Sequence, residues 1–358
     1  MEKKVSFKTI LKNGGLFASL IILTFYIILK NNNMKNMIKS ISSVNMNYIL
    51  IAIICSFTFV ICEGINIRRN LRLMEYEIGF LTSVKYAIVG FFFSSITPSA
   101  SGGQPMQVYY MHKDSISICH SSLSLLMDLA SYQFVTVTMS IIGYIKIHDL
   151  LSSVLGNIKY LVSLGIILNS TMLIFILTAI FSNKFINKAI DLLCVFLNKI
   201  KYKKVDEFKK IALEQVNEYK ESAFYFKKSK ATVVKLLLTT TIQITCIHSV
   251  PFWIYKGFGL NDYSLITVIL MQAVLFISVS ALPLPGAVGV SESGFMIIYK
   301  TLFPIKILSS AMIVSRGISF YLLILVSSLI IAITHLRNLD GNHYIKVSRK
   351  RRGENFDV

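Results

Sequence analysis

Apolar residues in this chain fall in long blocks separated by short polar stretches. The blocks approach the roughly 20 residues that a bilayer-spanning helix needs. Six of them read as complete spans, near 14–29, 48–67, 118–145, 160–181, 234–255 and 308–335. Two further apolar regions are interrupted. The region near 80–112 is broken by Thr97-Pro98-Ser99-Ala100-Ser101-Gly102-Gly103-Gln104-Pro105, and the region near 263–299 by Pro283-Leu284-Pro285-Gly286-Ala287-Val288-Gly289. Proline removes a helix donor and glycine loosens the backbone, so each region predicts two short helices joined by a turn. The expected fold is all-α. It is a polytopic integral membrane bundle of about six full spans plus two opposed re-entrant hairpins, about eight membrane segments, compatible with an inverted repeat.

Composition agrees with a membrane protein. The chain is 54% hydrophobic and only 15% charged, against about a quarter charged in soluble domains. Its formal net charge of +19 is placed in the loops between apolar blocks, as expected for topological anchoring and anionic lipid headgroups rather than nucleic acid. No direct nucleic-acid binding is expected. The five cysteines (Cys55, Cys62, Cys119, Cys194, Cys246) are scattered, with no pair at metal or redox spacing. The apolar run from Leu16 to Leu29 follows Lys3, Lys4, Lys8 and Lys12 but leads into Lys30-Asn31-Asn32-Asn33, not a small-residue cleavage site. It is expected to stay as a first span.

The charge pattern orients the hairpins. If each broken region returns to its starting side, the N-terminus, the 68–79 loop, Lys113, the 182–231 loop and the C-terminal tail share one face. That face then holds 26 of the 37 Lys and Arg residues, and the opposite loops hold 8. If 80–97 instead crossed without returning, the 182–231 loop, with 12 lysines and 6 acidic residues, would lie outside. Basic residues favour the cytoplasmic side. Both termini of this multi-pass membrane protein are therefore expected in the cytoplasm. The whole of 1–358 reads as one transmembrane domain. Within it, 182–231 is a basic amphipathic cytoplasmic loop and 336–358 a basic tail carrying Arg349-Lys350-Arg351-Arg352. In the loop, Val205, Phe208, Ala212, Val216, Tyr219, Ala223 and Phe226 recur at helical spacing. Such helices suit an anionic leaflet, or equally the cytoplasmic ends of the spans.

Polar and ionisable residues at membrane depth mark the candidate site, because non-helical backbone and charge persist there only when buried in protein or facing water. Thr97, Ser99, Ser101 and Gln104, with Gly102 and Gly103, could present hydroxyl, amide and backbone N–H groups to a phosphate. The plain alternative is a helix break that lets two helices approach closely. Pro285, Gly286 and Gly289 form the second break, and Glu292 follows. Arg316 is the one arginine inside an expected span, so a Glu292–Arg316 pair is anticipated. Either Arg316 holds a lipid phosphate while Glu292 meets a cationic group or a coupling proton, or the pair simply fixes helix packing. Asp128 lies midway along its span and joins the candidates. Glu63 is read as an interfacial partner of Arg68 and Arg69. His120, His248 and His335 have no partners at ligand spacing. No catalytic signature is present, and no metal or cofactor is expected.

The two broken segments, the second continued through Val290-Ser291-Glu292, resemble the transmembrane flippase-like region of lysylphosphatidylglycerol synthases, the bacterial multiple peptide resistance factors. The resemblance runs over nearly the whole chain, including Glu63–Arg68 and Arg316. Ala287 and Ser293 stand where the family pattern leads one to expect glycine. In full-length members a soluble acyltransferase-like domain moves lysine from lysyl-tRNA to phosphatidylglycerol, and the membrane part is thought to carry the product to the outer leaflet. The last expected span ends about twenty residues before Val358, so that soluble domain is expected to be missing. The resemblance implies binding and translocation of phospholipid, aminoacylated or of the anionic phosphatidylglycerol type. Membrane phospholipids are then the partners, with a separate synthase subunit a further one. Two other functions stay open: lysyl transfer to phosphatidylglycerol, alone or with a catalytic subunit, and ion-coupled transport of a small solute.

Overall fold

The computed structural model describes residues 34–150, 158–182, 222–280 and 284–339, with single positions at 188, 191, 195, 219, 282 and 347. The span expected at 14–29 lies outside the described residues, as do most of the 182–231 loop and nearly all of the tail beyond 339. Every described element is helical: α1 (Met34–Ser42), α2 (Met46–Leu73), α3 (Phe80–Ile96), α4 (Gly103–Lys113), α5 (Ile118–Lys146), α6 (Ile158–Phe181), α7 (Lys230–Gly257), α8 (Leu265–Ser280), α9 (Val290–Ile298), α10 (Ile305–Arg316) and α11 (Leu322–Leu339). Among the described residues, five helices are long and apolar enough to cross a membrane: α2, α5, α6, α7 and the α10–α11 unit, the other five expected spans. The shorter apolar helices α3 and α8 are the first legs of the two broken regions.

Local chemistry sets these boundaries. The Asn45 side chain accepts the Asn47 N–H at 3.0 Å and caps α2, and the Ser117 hydroxyl accepts the His120 N–H at 3.2 Å to cap α5. Leucine, isoleucine and phenylalanine remain exposed on the outer faces, including Leu164, Ile167 and Phe175 of α6. Such a surface is costly in water and ordinary against acyl chains.

Both broken regions return to the end of the bundle from which they enter. At the base of the first, Asp114 accepts Lys85 Nζ and Tyr86 Oη, each at 2.7 Å, and the Ser117 N–H reaches Tyr76 Oη at 3.2 Å. Residues before α3 and after α4 therefore share one end. At the base of the second, Tyr263 donates to the Thr301 carbonyl at 3.3 Å, and Tyr299 donates to Gln272 at 2.8 Å across the legs. The long helices show that these ends are opposite. Helices α2 and α7 pack antiparallel, with the Asn45 N–H on the Gly257 carbonyl at one end and Arg69 on the Lys235 carbonyl towards the other. The first hairpin opens beside the C-terminal end of α2, where Arg68 Nε meets the Ile78 carbonyl at 3.1 Å. The second opens beside the C-terminal end of α7, where Tyr255 Oη accepts the Asp262 N–H at 2.8 Å. Their turns, Pro98–Ala100 and Pro285–Ala287, pack against each other.

The two halves repeat in backbone as well as in order. Thr97 and Leu284 are extended, each leads into a proline, and Ser99 (φ 51°) and Gly286 (φ 57°) follow in the left-handed region. Ala100 (φ 55°) and Ala287 (φ 50°) come next, also left-handed. Position 284 less position 97 gives an offset of 187, which also carries the start of α4 onto that of α9 and the start of α5 onto that of α10. Each half has its own apolar core near its hairpin's open end, one around Leu71, Tyr86 and Ile116, the other around Tyr255, Tyr299 and Phe303. The inverted repeat is thus present in geometry although the residues barely repeat.

One part of the basic loop is described. Ala223 and Phe226 are buried with Ile176 and Ile180 of α6, and Tyr219 donates to the Ala179 carbonyl at 3.3 Å. This apolar face packs on the bundle, while Phe224 is exposed.

Candidate functional site

Where the hairpin turns meet, a cavity of about 320 Å³ opens between α2, α3, α5, α7, α8, α9 and α10. Its size is near the lower end of small-molecule pockets, about 300–1,000 Å³. Two irregularities in long helices shape it. Pro251 interrupts α7 and leaves the Ile247 carbonyl without its helical donor, and both residues line the cavity. After Arg316 the last long span widens into a π-helical turn, Gly317–Tyr321, which brings Arg316, Ser319 and Phe320 to the wall. Such turns recur at functional positions.

Arg316 is the charge on that wall. Its Nε donates to Glu292 Oε1 at 2.9 Å and its Nη2 to the Gly286 carbonyl at 3.2 Å. The guanidinium lies 4.3 Å from the centre of the Phe320 ring. Glu292 also accepts the Gly289 N–H at 2.7 Å and Tyr321 Oη at 3.1 Å. The carboxylate in the first turn of α9 therefore caps that helix while fixing the arginine. The Glu292 side chain is 4% exposed and that of Arg316 18%, so the arginine is the accessible member. Among the described residues Arg316 Nη1 makes no hydrogen bond.

A second polar cluster lies off the cavity wall. Glu63 accepts Gln107 Nε2 at 2.9 Å, and Gln107 crosses between the hairpin legs over Gly90, where a Cβ would fall 2.2 Å from its amide. Arg69 is engaged by Asn66 at 2.7 Å, by the Lys235 carbonyl and by Thr239. Asp128 lies beside Asn66 and Arg69. Tyr132 reaches the cavity wall. The expected pairing of Glu63 with Arg68 and Arg69 is not the one observed. Those arginines point along α2 to a loop carbonyl and to α7, whereas Glu63 faces the first hairpin.

The structure sorts the residues singled out in the sequence. Glu292, Arg316, Gly286 and Gly289 are joined in one hydrogen-bonded group, with Pro285 buried at the turn. Ser99 lines the cavity. Thr97 is consumed locally, donating to the Phe93 carbonyl at 2.6 Å and accepting the Gly102 N–H at 2.9 Å, so that N–H is turned inwards. Gly103 permits close approach of the legs, since a Cβ would sit 2.0 Å from Ser94 Oγ. Ser101 and Gln104 do not line the cavity, and Asp128 belongs to the second cluster. Tyr321, His248, Gln272, Ser315 and Ser319 were not picked out from the sequence as binding residues. A serine on either side of Arg316, at −1 and +3 on a helical face, was the available signal.

Fold and site together define a multi-pass α-helical membrane protein of two inverted halves, whose re-entrant hairpins meet at a largely apolar cavity with Arg316 on its wall. The chain belongs to the family described as lysylphosphatidylglycerol synthase TM region, which matches residues 14–327. It is similar to a UPF0104 membrane protein of Archaeoglobus fulgidus, 21% identical over 78% of this chain and 84% of that protein. It is also similar to a UPF0104 membrane protein of Methanocaldococcus jannaschii, 23% identical over 73% of this chain and 75% of the relative.

Proposed function

We propose that the protein binds a phospholipid headgroup in the cavity between the hairpin turns and passes the lipid between leaflets. The observation that carries this reading is Arg316. It is a cation at membrane depth, held by Glu292 and the Gly286 carbonyl, with Nη1 left for a ligand on the wall of a headgroup-sized cavity. A guanidinium so placed suits a phosphate. The cavity has room for a headgroup and not for acyl chains, which would remain in the bilayer. Family membership supports a lipid-related role. Inverted repeats with broken helices at the midplane are also the usual architecture of alternating-access carriers.

The test is transfer of fluorescent phospholipids across liposome bilayers containing the purified chain. Wild type is expected to move lipid, and Arg316→Ala to slow transfer about tenfold or more, the loss of one charge-assisted contact. Glu292→Gln, which loosens the arginine without removing it, should have a smaller effect. Transport by Arg316→Ala at the wild-type rate would remove the site assignment. Failure of wild type to move any of several headgroups would remove the function.

A further inference from the structure

The seam between α2 and α5 holds oxygen atoms that neither the cavity nor the hairpin turns use. Helix α2 ends and α5 begins at the open end of the first hairpin, so the two run antiparallel. Asn70 then stands level with Ser124, and Asn66 with Asp128. Asn70 Nδ2 donates to the Ser124 carbonyl at 3.0 Å. A helix carbonyl points towards the C-terminus and accepts the N–H four residues on, which brings the Asn70 amide to the level of Asp128. The same bond fixes which way the amide faces, since its oxygen cannot be turned to a carbonyl.

Three oxygens of this seam have no hydrogen-bond partner among the described residues: Asn70 Oδ1, Ser124 Oγ and Asp128 Oδ1. Asn70 and Ser124 are 0% exposed, and the Asp128 atom is buried. Ser121 Oγ, a turn before Ser124 on the same face, is a fourth. Buried polar atoms are almost always paired, so acceptors gathered in one seam call for something bound between them.

Charge and spacing favour a metal cation over water or a proton. Arg69 gives its bonds to neutral acceptors, Asn66, Thr239 and the Lys235 carbonyl, and Arg68 turns to the Ile78 carbonyl at the end of the bundle. Glu63, one turn before Asn66 on α2, accepts the neutral Gln107 amide. Two carboxylates thus stand against Arg69, leaving one negative charge at membrane depth, where it is costly. Water would leave that charge in place. A shared proton needs its two oxygens about 2.5–3.0 Å apart, and none of these oxygens makes such a contact. An ion ligated at about 2.3–2.6 Å instead holds its oxygens roughly 3–5 Å apart. Sodium is the monovalent ion of that size.

We propose that Asp128, Asn70 and Ser124 form a sodium site between α2 and α5, separate from the cavity of Arg316. Asp128 supplies the charge, and the asparagine amide oxygen and serine hydroxyl supply neutral ligands. The site adjoins the anchorage of the first hairpin, where Glu63 holds Gln107. Ion binding stiffens the junction between that hairpin and the long helices.

The test uses the full chain in detergent, with choline replacing sodium at constant ionic strength. Binding of radioactive sodium and thermal unfolding are both followed against sodium concentration. Saturable binding of a single ion is expected, with the unfolding temperature rising once sodium exceeds its dissociation constant. Potassium and choline should not substitute. Ser124→Ala should weaken binding about tenfold, the loss of one ligand. Ser124→Thr, which keeps the hydroxyl, should bind nearly as wild type, and Asp128→Asn should not bind. The two Ser124 variants decide the matter even where Asp128→Asn does not fold. Folded wild type that binds no sodium, or that potassium stabilises equally, overturns the site. Stability that follows pH and ignores sodium makes Asp128 a proton carrier and overturns it as well. Folded Ser124→Ala and Asp128→Asn proteins that bind as wild type place the ion elsewhere. Sodium binding by a chain that moves no lipid leaves this inference standing and removes only the lipid reading.

Discussion

At the scale of single residues, the Glu292–Arg316 pair makes an asymmetric prediction. Removing one partner of a buried pair costs about 3–5 kcal/mol, because the other charge is left uncompensated. Arg316→Ala leaves a 4% exposed carboxylate with only Tyr321 and the Gly289 N–H as donors. Glu292→Gln removes the charge but keeps a carbonyl acceptor for Gly289, and Arg316 retains the Gly286 carbonyl and some access to the cavity. The expected cost is about 1–2 kcal/mol, that of weakening hydrogen bonds rather than stranding a charge. Thermal unfolding in detergent should therefore rank Arg316→Ala well below Glu292→Gln. Equal losses would show that the carboxylate is not held as the geometry has it. The pair was legible in the sequence because both residues are out of place in apolar blocks. The partner of Glu63 was not, because Arg68 and Arg69 lie close along the chain while Gln107 comes from another helix. Ala287 is informative in the same way. It stands where the family pattern leads one to expect glycine, and its φ of 50° is a left-handed conformation that costs an L-residue about 1–2 kcal/mol.

At the scale of elements, α8 is seated by glycines on both sides. A Cβ at Gly165 of α6 would come within 2.1 Å of the Ile277 carbonyl oxygen, and one at Gly143 of α5 within 2.9 Å of the Leu270 carbonyl oxygen. Both obstacles are backbone, so neither can rotate aside. Gly317 offers the contrast, with nothing within 4 Å of its would-be Cβ. Gly165→Ala should destabilise by about 1–3 kcal/mol, the usual cost of overpacking. Gly317→Ala should be neutral or stabilising by up to about 1 kcal/mol, since alanine gives up less freedom in a helix. Unfolding curves of the two variants test the sign. A stable Gly165→Ala protein would mean that α6 does not press on the second hairpin. The hairpins themselves were readable from Pro and Gly interrupting apolar runs. The cavity was not, because its wall is assembled from α2, α3, α5, α7, α8, α9 and α10, and periodicity does not say which faces meet. Pro251 and the π-helical turn behind Arg316, the two departures that open it, left at most a proline and a glycine in the sequence.

At the scale of the whole molecule, the repeat and the charge pattern bear on each other. The structure places residues 74–79 and 114–117 at one end of the bundle and residues 258–264 and 299–304 at the other. The charges predict a direction. Re-entry of both hairpins puts 26 of the 37 Lys and Arg residues on the end shared by 74–79 and 114–117, and basic residues in short loops stay inside. Single cysteines at Glu77, Ser115, Asn261 and Lys306, all exposed positions, test this in a background lacking the five native cysteines. A membrane-impermeant maleimide applied to intact cells should modify the variants at 261 and 306, and reach those at 77 and 115 only after permeabilisation. Reaction of all four in the reverse sense would overturn the orientation but keep the hairpins. Reaction of Glu77→Cys and Ser115→Cys from opposite sides would mean that the first hairpin crosses the membrane. The two turns could then not meet from opposite ends, and the proposed passage of lipid past Arg316 would lose the arrangement it relies on.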